Sequence, residues 1–113
     1  MEMKCHLHSD VFEIVKNGKK DVEVRINDEK RRLLKVGDIL VFLRRPNEDE
    51  EIRAKVVGLD YYDSFEDLVD HYEMERLYLS GYTKEQYLSE MNRFYTLEDQ
   101  YDNGVVAILF EKE

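Results

Sequence analysis

A single cysteine, a single proline and no apolar stretch of membrane length remove several classes of protein at once. Cys5 has no partner for an internal disulfide, which fits a reducing compartment. Lying in a short alternating segment, it is expected to be a small buried hydrophobe rather than a nucleophile. No run of residues approaches the ~20 consecutive apolar positions of a membrane-spanning helix. The N-terminus shows no apolar leader segment, so a cytoplasmic location is the expectation. There is no internal repeat, low-complexity linker or compositional break, and residues 1–113 are expected to form one domain. That length can bury a core without disulfides or metal. His6 and His8 alternate with Leu7, but no nearby cysteine or acidic pair supplies a further ligand. Neither a metal nor another cofactor is expected.

What is present points to a folded, acidic chain. Apolar residues make up 42% and aromatics 12%, enough for a core despite 38% charged residues. The net charge is −9. It is unevenly distributed: residues 1–56 carry 13 Lys and Arg against 12 Asp and Glu, residues 57–113 carry 4 against 14. The whole would not attract a polyanion, but a charge acts over only about 10 Å in salt. Lys16, Lys19, Lys20, Arg25, Lys30, Arg31, Arg32 and Lys35 stand within one stretch against four acids. That stretch is where a phosphate or nucleotide would be received.

Periodicity gives the elements. Met3 to Leu7 alternates as a strand. Ser9 is placed to cap a helix over Asp10 to Asn17. Asp21 to Ile26 is a second strand, and the polar run Asp28 to Lys35 reads as a loop. Ile39 to Leu43 and Ile52 to Leu59 are strands three and four, separated by Arg45 to Asp49, whose proline and acids disfavour pairing. Ser64 opens a helix with Phe65, Leu68, Val69 and Tyr72 on one face. Glu73 to Leu79 predicts a short helix. Thr83 and Gln86 form a capping box before a helix with Tyr87, Leu88, Met91, Phe94 and Tyr95 on its apolar face. Thr96 to Tyr101 reads as a turn or a single helical turn. Val105 to Phe110 is a buried strand. Strands two to four lack helical crossovers, so antiparallel neighbours are expected among them. The class is α+β: a small curved sheet or partly open β-barrel with helices packed at its ends.

The densest information lies between Asn17 and Asn27. Helical spacing ends at the Asn17-Gly18 pair, a common C-cap. From Asp21 the chain alternates, with Val22, Val24 and Ile26 on one side and Asp21, Glu23, Arg25 and Asn27 on the other. Gly18-Lys19-Lys20-Asp21-Val22-Glu23-Val24-Arg25 matches the G-x-K-x-x-E-x-R signature of the ASCH domain family, part of the PUA-like superfamily. Asn27-Asp28, Lys35 to Phe42, Phe94-Tyr95 and Tyr101 to Ile108 also resemble that family, in order and over nearly the whole chain. The resemblance implies a PUA-like barrel, a cleft beside it lined by the signature residues, and RNA or nucleotide-like ligands. One small bacterial member removes the acetyl group from N4-acetylcytidine. Its proposed catalytic group has a lysine at the position of Lys20, a threonine at that of Glu23, and a glutamate after the middle helix. This chain keeps the lysine, departs at Glu23, and offers Glu73 and Glu75 only by location.

The chemistry of these residues allows several functions. Lys20, Arg25 and the nearby Lys19, Arg31 and Arg32 suit phosphate oxygens. Glu23 suits hydrogen bonds from a base or sugar hydroxyl, or holds Arg25 in position, and Asn27 is a further ligand-binding candidate on the same polar face. Tyr61, Tyr62, Tyr95 and Tyr101 suit stacking. A binding module for RNA or a nucleotide-like molecule is therefore the first reading. The second is an amidohydrolase acting on acylated nucleosides, with Lys20 and Glu23 catalytic. There Glu23 would activate water and Lys20 polarise the carbonyl, because a neighbouring carboxylate keeps a lysine charged and poorly nucleophilic. The third is a protein-interaction domain using the acidic half. A plainer alternative is that Lys20, Glu23 and Arg25 form an exposed charge ladder contributing little.

Overall fold

Alternating segments become five strands of one sheet in the computed structural model, which describes residues 1–113. The order along the chain is β1 (Glu2–Leu7), α1 (Ser9–Lys16), β2 (Val22–Ile26), α2 (Glu29–Arg32), β3 (Ile39–Arg44) and β4 (Glu51–Tyr62). Then follow α3 (Phe65–Val69), α4 (Met74–Leu77), α5 (Lys84–Phe94), α6 (Leu97–Asn103) and β5 (Val105–Lys112). The strands lie in the order β1-β3-β4-β5-β2. β1 runs parallel to β3, and every other pair is antiparallel. A bulge between Val56 and Gly58 in the long β4 adds local twist. The sheet curls until its two edge strands approach: Arg25 Nη2 on β2 donates to the His6 carbonyl on β1 at 3.4 Å. The result is a half-barrel with an open seam between β1 and β2.

Two cores follow from the alternation. On the inner face, Met3, Cys5 and Leu7 meet Leu40, Phe42, Val56, Ile108 and the α1 residues Phe12 and Val15. On the outer face of β2 and β5, Val22, Val24, Ile26 and Ala107 pack under Phe65, Leu68, Leu77 and Tyr87 from α3, α4 and α5. Each fully buried large apolar side chain contributes roughly 1.5–3 kcal/mol relative to exposure. β5 is buried on both sides, as its unbroken apolar run predicts. Gln100 of α6 accepts from Phe65 N at 3.0 Å through Oε1 and donates through Nε2 to Asn92 Oδ1 and the Tyr95 carbonyl. It ties α6 to α3 and to the end of α5. No helix is long and apolar enough to cross a membrane.

The structure corrects several local expectations. β3 and β4 are antiparallel neighbours as expected, but β2 does not pair with β3; it lies at the opposite edge against β5. The lack of a helical crossover suggests adjacency, yet the curl of the sheet lets Asp28 to Asp38 cross an end of the barrel. That stretch is not all loop, because Asp28 Oδ1 accepts from Arg31 N at 3.0 Å and caps the single turn of α2. Ser9 is the first residue of α1 rather than its cap. Its Oγ instead accepts from Arg44 Nη1 at 2.7 Å. Asp21 precedes β2, β4 extends to Tyr62, and Leu97 to Asn103 is a full helix capped by Thr96. The Thr83–Gln86 capping box forms in both directions.

Candidate functional site

Glycine 18 makes the site's first element possible. At φ +81 it takes a conformation that side chains disfavour, and it turns the chain out of α1. The amides of Lys19 and Lys20 then both bond the Ile14 carbonyl at 3.1 Å. This turn leaves Lys19 exposed and sends Lys20 inward. Lys20 is 2% exposed and Glu23 is 6% exposed. The expected exposed ladder is therefore not what forms: the polar face of β2 points into the seam of the half-barrel.

Each charge there has defined partners. Lys20 Nζ donates to the Val22 carbonyl and to the Leu77 carbonyl of α4, the latter at 2.7 Å. It stands 3.6 Å from Glu23 Oε1. Glu23 Oε1 accepts from Val24 N at 3.0 Å, and Oε2 accepts from Arg25 Nη2 at 3.3 Å. Arg25 Nε is buried and has no partner. Burial pushes the Lys20 ammonium below the usual lysine range, against the pull of Glu23. Burial alone would raise Glu23, but Lys20 and Arg25 outweigh it and hold the carboxyl below the usual carboxylate range. The Glu23 carboxylate raises Arg25 further still. Three acceptors around Nζ and three donors around the carboxylate describe a charged, fully engaged pair.

These residues border a cavity of about 250 Å³. One wall is the end of β1, from His6 to His8, with Arg45 beside it. The opposite wall is aromatic: Tyr78 stacks edge-on against Tyr87 at 5.9 Å between ring centres, and Tyr95 and Phe94 complete it. Phe94 is 62% exposed at the mouth, although helical spacing had assigned it to a core face. Tyr87 is buried, and burial followed by nearby Glu23 raises its hydroxyl pKa. Lys20, Arg25 and Arg45 against Glu23 leave the lining with an excess of positive charge, inside an acidic protein.

Not every sequence candidate converges here. Lys20, Glu23, Arg25 and Tyr95 do. Lys19 lies outside, and Arg31 and Arg32 stand on α2, where Arg32 Nη2 donates to Asn103 Oδ1 at 3.3 Å. Asn27 and Tyr101 border a different cleft with Tyr61 and Tyr62. Glu73 and Glu75 are exposed and line neither. Sequence reasoning missed Tyr78 and Arg45 and the contribution of the Leu77 carbonyl. No local pattern marks a main-chain acceptor 57 residues away from its donor.

The buried carboxylate also makes stability depend on pH. A carboxyl whose folded pKa lies below its unfolded value stabilises the fold above the unfolded pKa, about 4.3, and loses that contribution as pH falls through the folded pKa. The difference in unfolding free energy between the protein and its Glu23→Gln variant should therefore be full at pH 6. It should shrink steadily in acid. Urea titrations at several pH values measure it, and a difference independent of pH would contradict the assignment.

A family model described as the ASCH domain matches residues 6–112. Hypothetical protein PH0355 is similar over 100% of both chains, with 33% identity and a TM-score of 0.87. Protein PF0455 from Pyrococcus furiosus shares 30% identity over 99% of this chain and 97% of its own, with a TM-score of 0.79. ASCH from Zymomonas mobilis is 15% identical, over 97% of this chain and 66% of its own. Its TM-score of 0.65 speaks to the fold alone. No curated protein matches.

Proposed function

The chain belongs to the ASCH domain family, and from that premise we propose that it binds RNA or a nucleotide-like small molecule, one unit of which enters the cavity at Lys20, Glu23 and Arg25. The observation that carries this is the pairing of a half-buried guanidinium, which the protein engages through Nη2 alone, with an aromatic wall across a small cavity. Guanidinium supplies donors to a base carbonyl or a phosphate oxygen, and Tyr95 supplies a stacking face. A volume of about 250 Å³ is just below the ~300–1,000 Å³ range of drug-sized sites, which suits one nucleotide unit rather than a duplex.

Hydrolysis of an acylated nucleoside is less well supported. Lys20 would need a reachable lone pair, but its Nζ faces two carbonyls and a carboxylate. Glu23 would need to be free to activate water, but it already accepts from Val24 N and faces both cations.

Calorimetric titration with each 5′-mononucleotide and with short single-stranded RNAs tests the reading. Binding is expected to weaken only gently with salt, with a slope near the ~0.7 per phosphate of single strands, because one phosphate at most meets the cations. Absence of binding to every probe would reject the function. A slope of several phosphates would reject the single-unit cavity as its seat.

A further inference from the structure

The polar face of β2 does not end at the cavity. Asn27 follows Glu23 and Arg25 at the same two-residue spacing and borders a second cleft of about 320 Å³. Its amide donates to the Gly104 carbonyl at 2.9 Å, which fixes the backbone there. Its Oδ1 is buried and accepts nothing. Two large aromatic side chains stand open beside it, Tyr61 at 58% exposure and Tyr101 at 65%. Tyr62 forms a fixed wall, its hydroxyl 3.2 Å from that of Tyr72.

Strand register ties this cleft to the first. Tyr61 pairs with Val106, and Val106 with Arg25, so the three side chains form one row on the same face of the sheet. Row neighbours stand ~5 Å apart, which puts Tyr61 about 10 Å from Arg25. Adjacent units of one strand, rather than distant ones, reach both places. The charges differ between the two. Asp63 is the only ionised side chain lining the second cleft. A phosphate is repelled there, whereas a neutral base with an exocyclic amine meets a free acceptor at Asn27 and a tyrosine face on which to stack.

We propose that this cleft is a second base subsite, taking the nucleobase adjacent to the unit held at Arg25, so that the preferred ligand is single-stranded RNA of at least two nucleotides. The inference rests on the nucleotide-binding reading of the first cavity. It assigns stacking to Tyr61 and Tyr101 and recognition of an amine-bearing base edge to Asn27.

Paired titrations separate the two claims. Each 5′-mononucleotide and the dinucleotides built from it are titrated into the native protein, Tyr61→Ala, Tyr101→Ala, Asn27→Ala and Arg25→Ala. The best dinucleotide should bind the native protein about tenfold more tightly than its mononucleotide, the size of one stacked base. Tyr61→Ala and Tyr101→Ala should remove most of that gain and leave mononucleotide affinity unchanged. Asn27→Ala should erase the preference among bases at the second position. Arg25→Ala should weaken both ligands. Equal affinity for mono- and dinucleotides, or a gain that survives both tyrosine substitutions, overturns the subsite while leaving the first cavity intact. Binding of neither class overturns both.

Discussion

Replacing Glu23 with glutamine is expected to lower the free energy of unfolding by about 3–5 kcal/mol, a loss on the order of 10–20 °C in melting temperature. The substitution is nearly isosteric, so packing hardly changes. What changes is charge. Lys20 is 2% exposed, and its ammonium then keeps only neutral dipoles, the Val22 and Leu77 carbonyls and the substituted amide oxygen, with no carboxylate to balance it. Arg25 loses its one carboxylate partner and keeps the long bond to the His6 carbonyl. Leaving a buried charge uncompensated costs far more than an exposed pair contributes, which is ~0–1 kcal/mol. The control is Lys20→Met combined with Glu23→Gln. Neutralising both partners removes the unpaired ammonium, and the double variant should recover a large part of the loss, giving a favourable coupling energy above about 1 kcal/mol. Chemical denaturation of the four proteins measures the cycle. A Glu23→Gln change within about 1 kcal/mol of the native protein would show that the charges behave as a surface ladder after all.

The legibility of this site in the sequence was uneven, for physical reasons. Period-two alternation is a local property, so β2 and its two faces were readable from Val22 to Ile26. So was the helix stop at Asn17-Gly18, which decides where Lys20 emerges. Burial of Glu23 was not readable, because it depends on how far the sheet curls. Only then does β1 come close enough for His6 to accept from Arg25. The same curl misled the expectation that β2 and β3 would be neighbours: strands joined without a helical crossover favour pairing, but an edge strand at a barrel seam is near its successor without pairing to it. Family resemblance grouped Lys20 with Arg25, which line one cavity, and it also grouped Asn27 and Tyr101 with them. The structure divides that set between two clefts. The helical half showed the reverse pattern. The caps at Ser64 and Thr83 were plain in the sequence and each accepts from the amide three residues on, whereas the cap at Thr96 went unread. Their apolar faces were largely readable as well, since Phe65, Leu68, Val69 and Tyr87 pack with β2, while Phe94 at the end of α5 is left exposed.

Arg25→Lys is expected to reduce affinity for the tightest-binding mononucleotide about a hundredfold while leaving the melting temperature within a few degrees. Both substituents are cations, so Glu23 keeps a positive neighbour and the buried charges stay balanced. The geometry does not survive the exchange. In the native protein one guanidinium nitrogen, Nη2, serves Glu23 and the His6 carbonyl together, while Nε remains without a partner. A planar fork can hold the protein with one edge and offer the rest to a ligand. A lysine ammonium beside Glu23 places its single nitrogen on the carboxylate and has no second edge to present. Hydrogen bonds to a charged donor contribute about 1.5–3 kcal/mol each, which for one lost contact gives a factor on the order of a hundred. Arg25→Ala should weaken binding at least as much and should also destabilise the fold, because Glu23 then relies on Lys20 alone. Calorimetry and thermal unfolding on the two variants separate these effects. If Arg25→Lys binds within threefold of the native protein, the guanidinium is a structural bridge across the β1–β2 seam and the ligand lies elsewhere in the cavity.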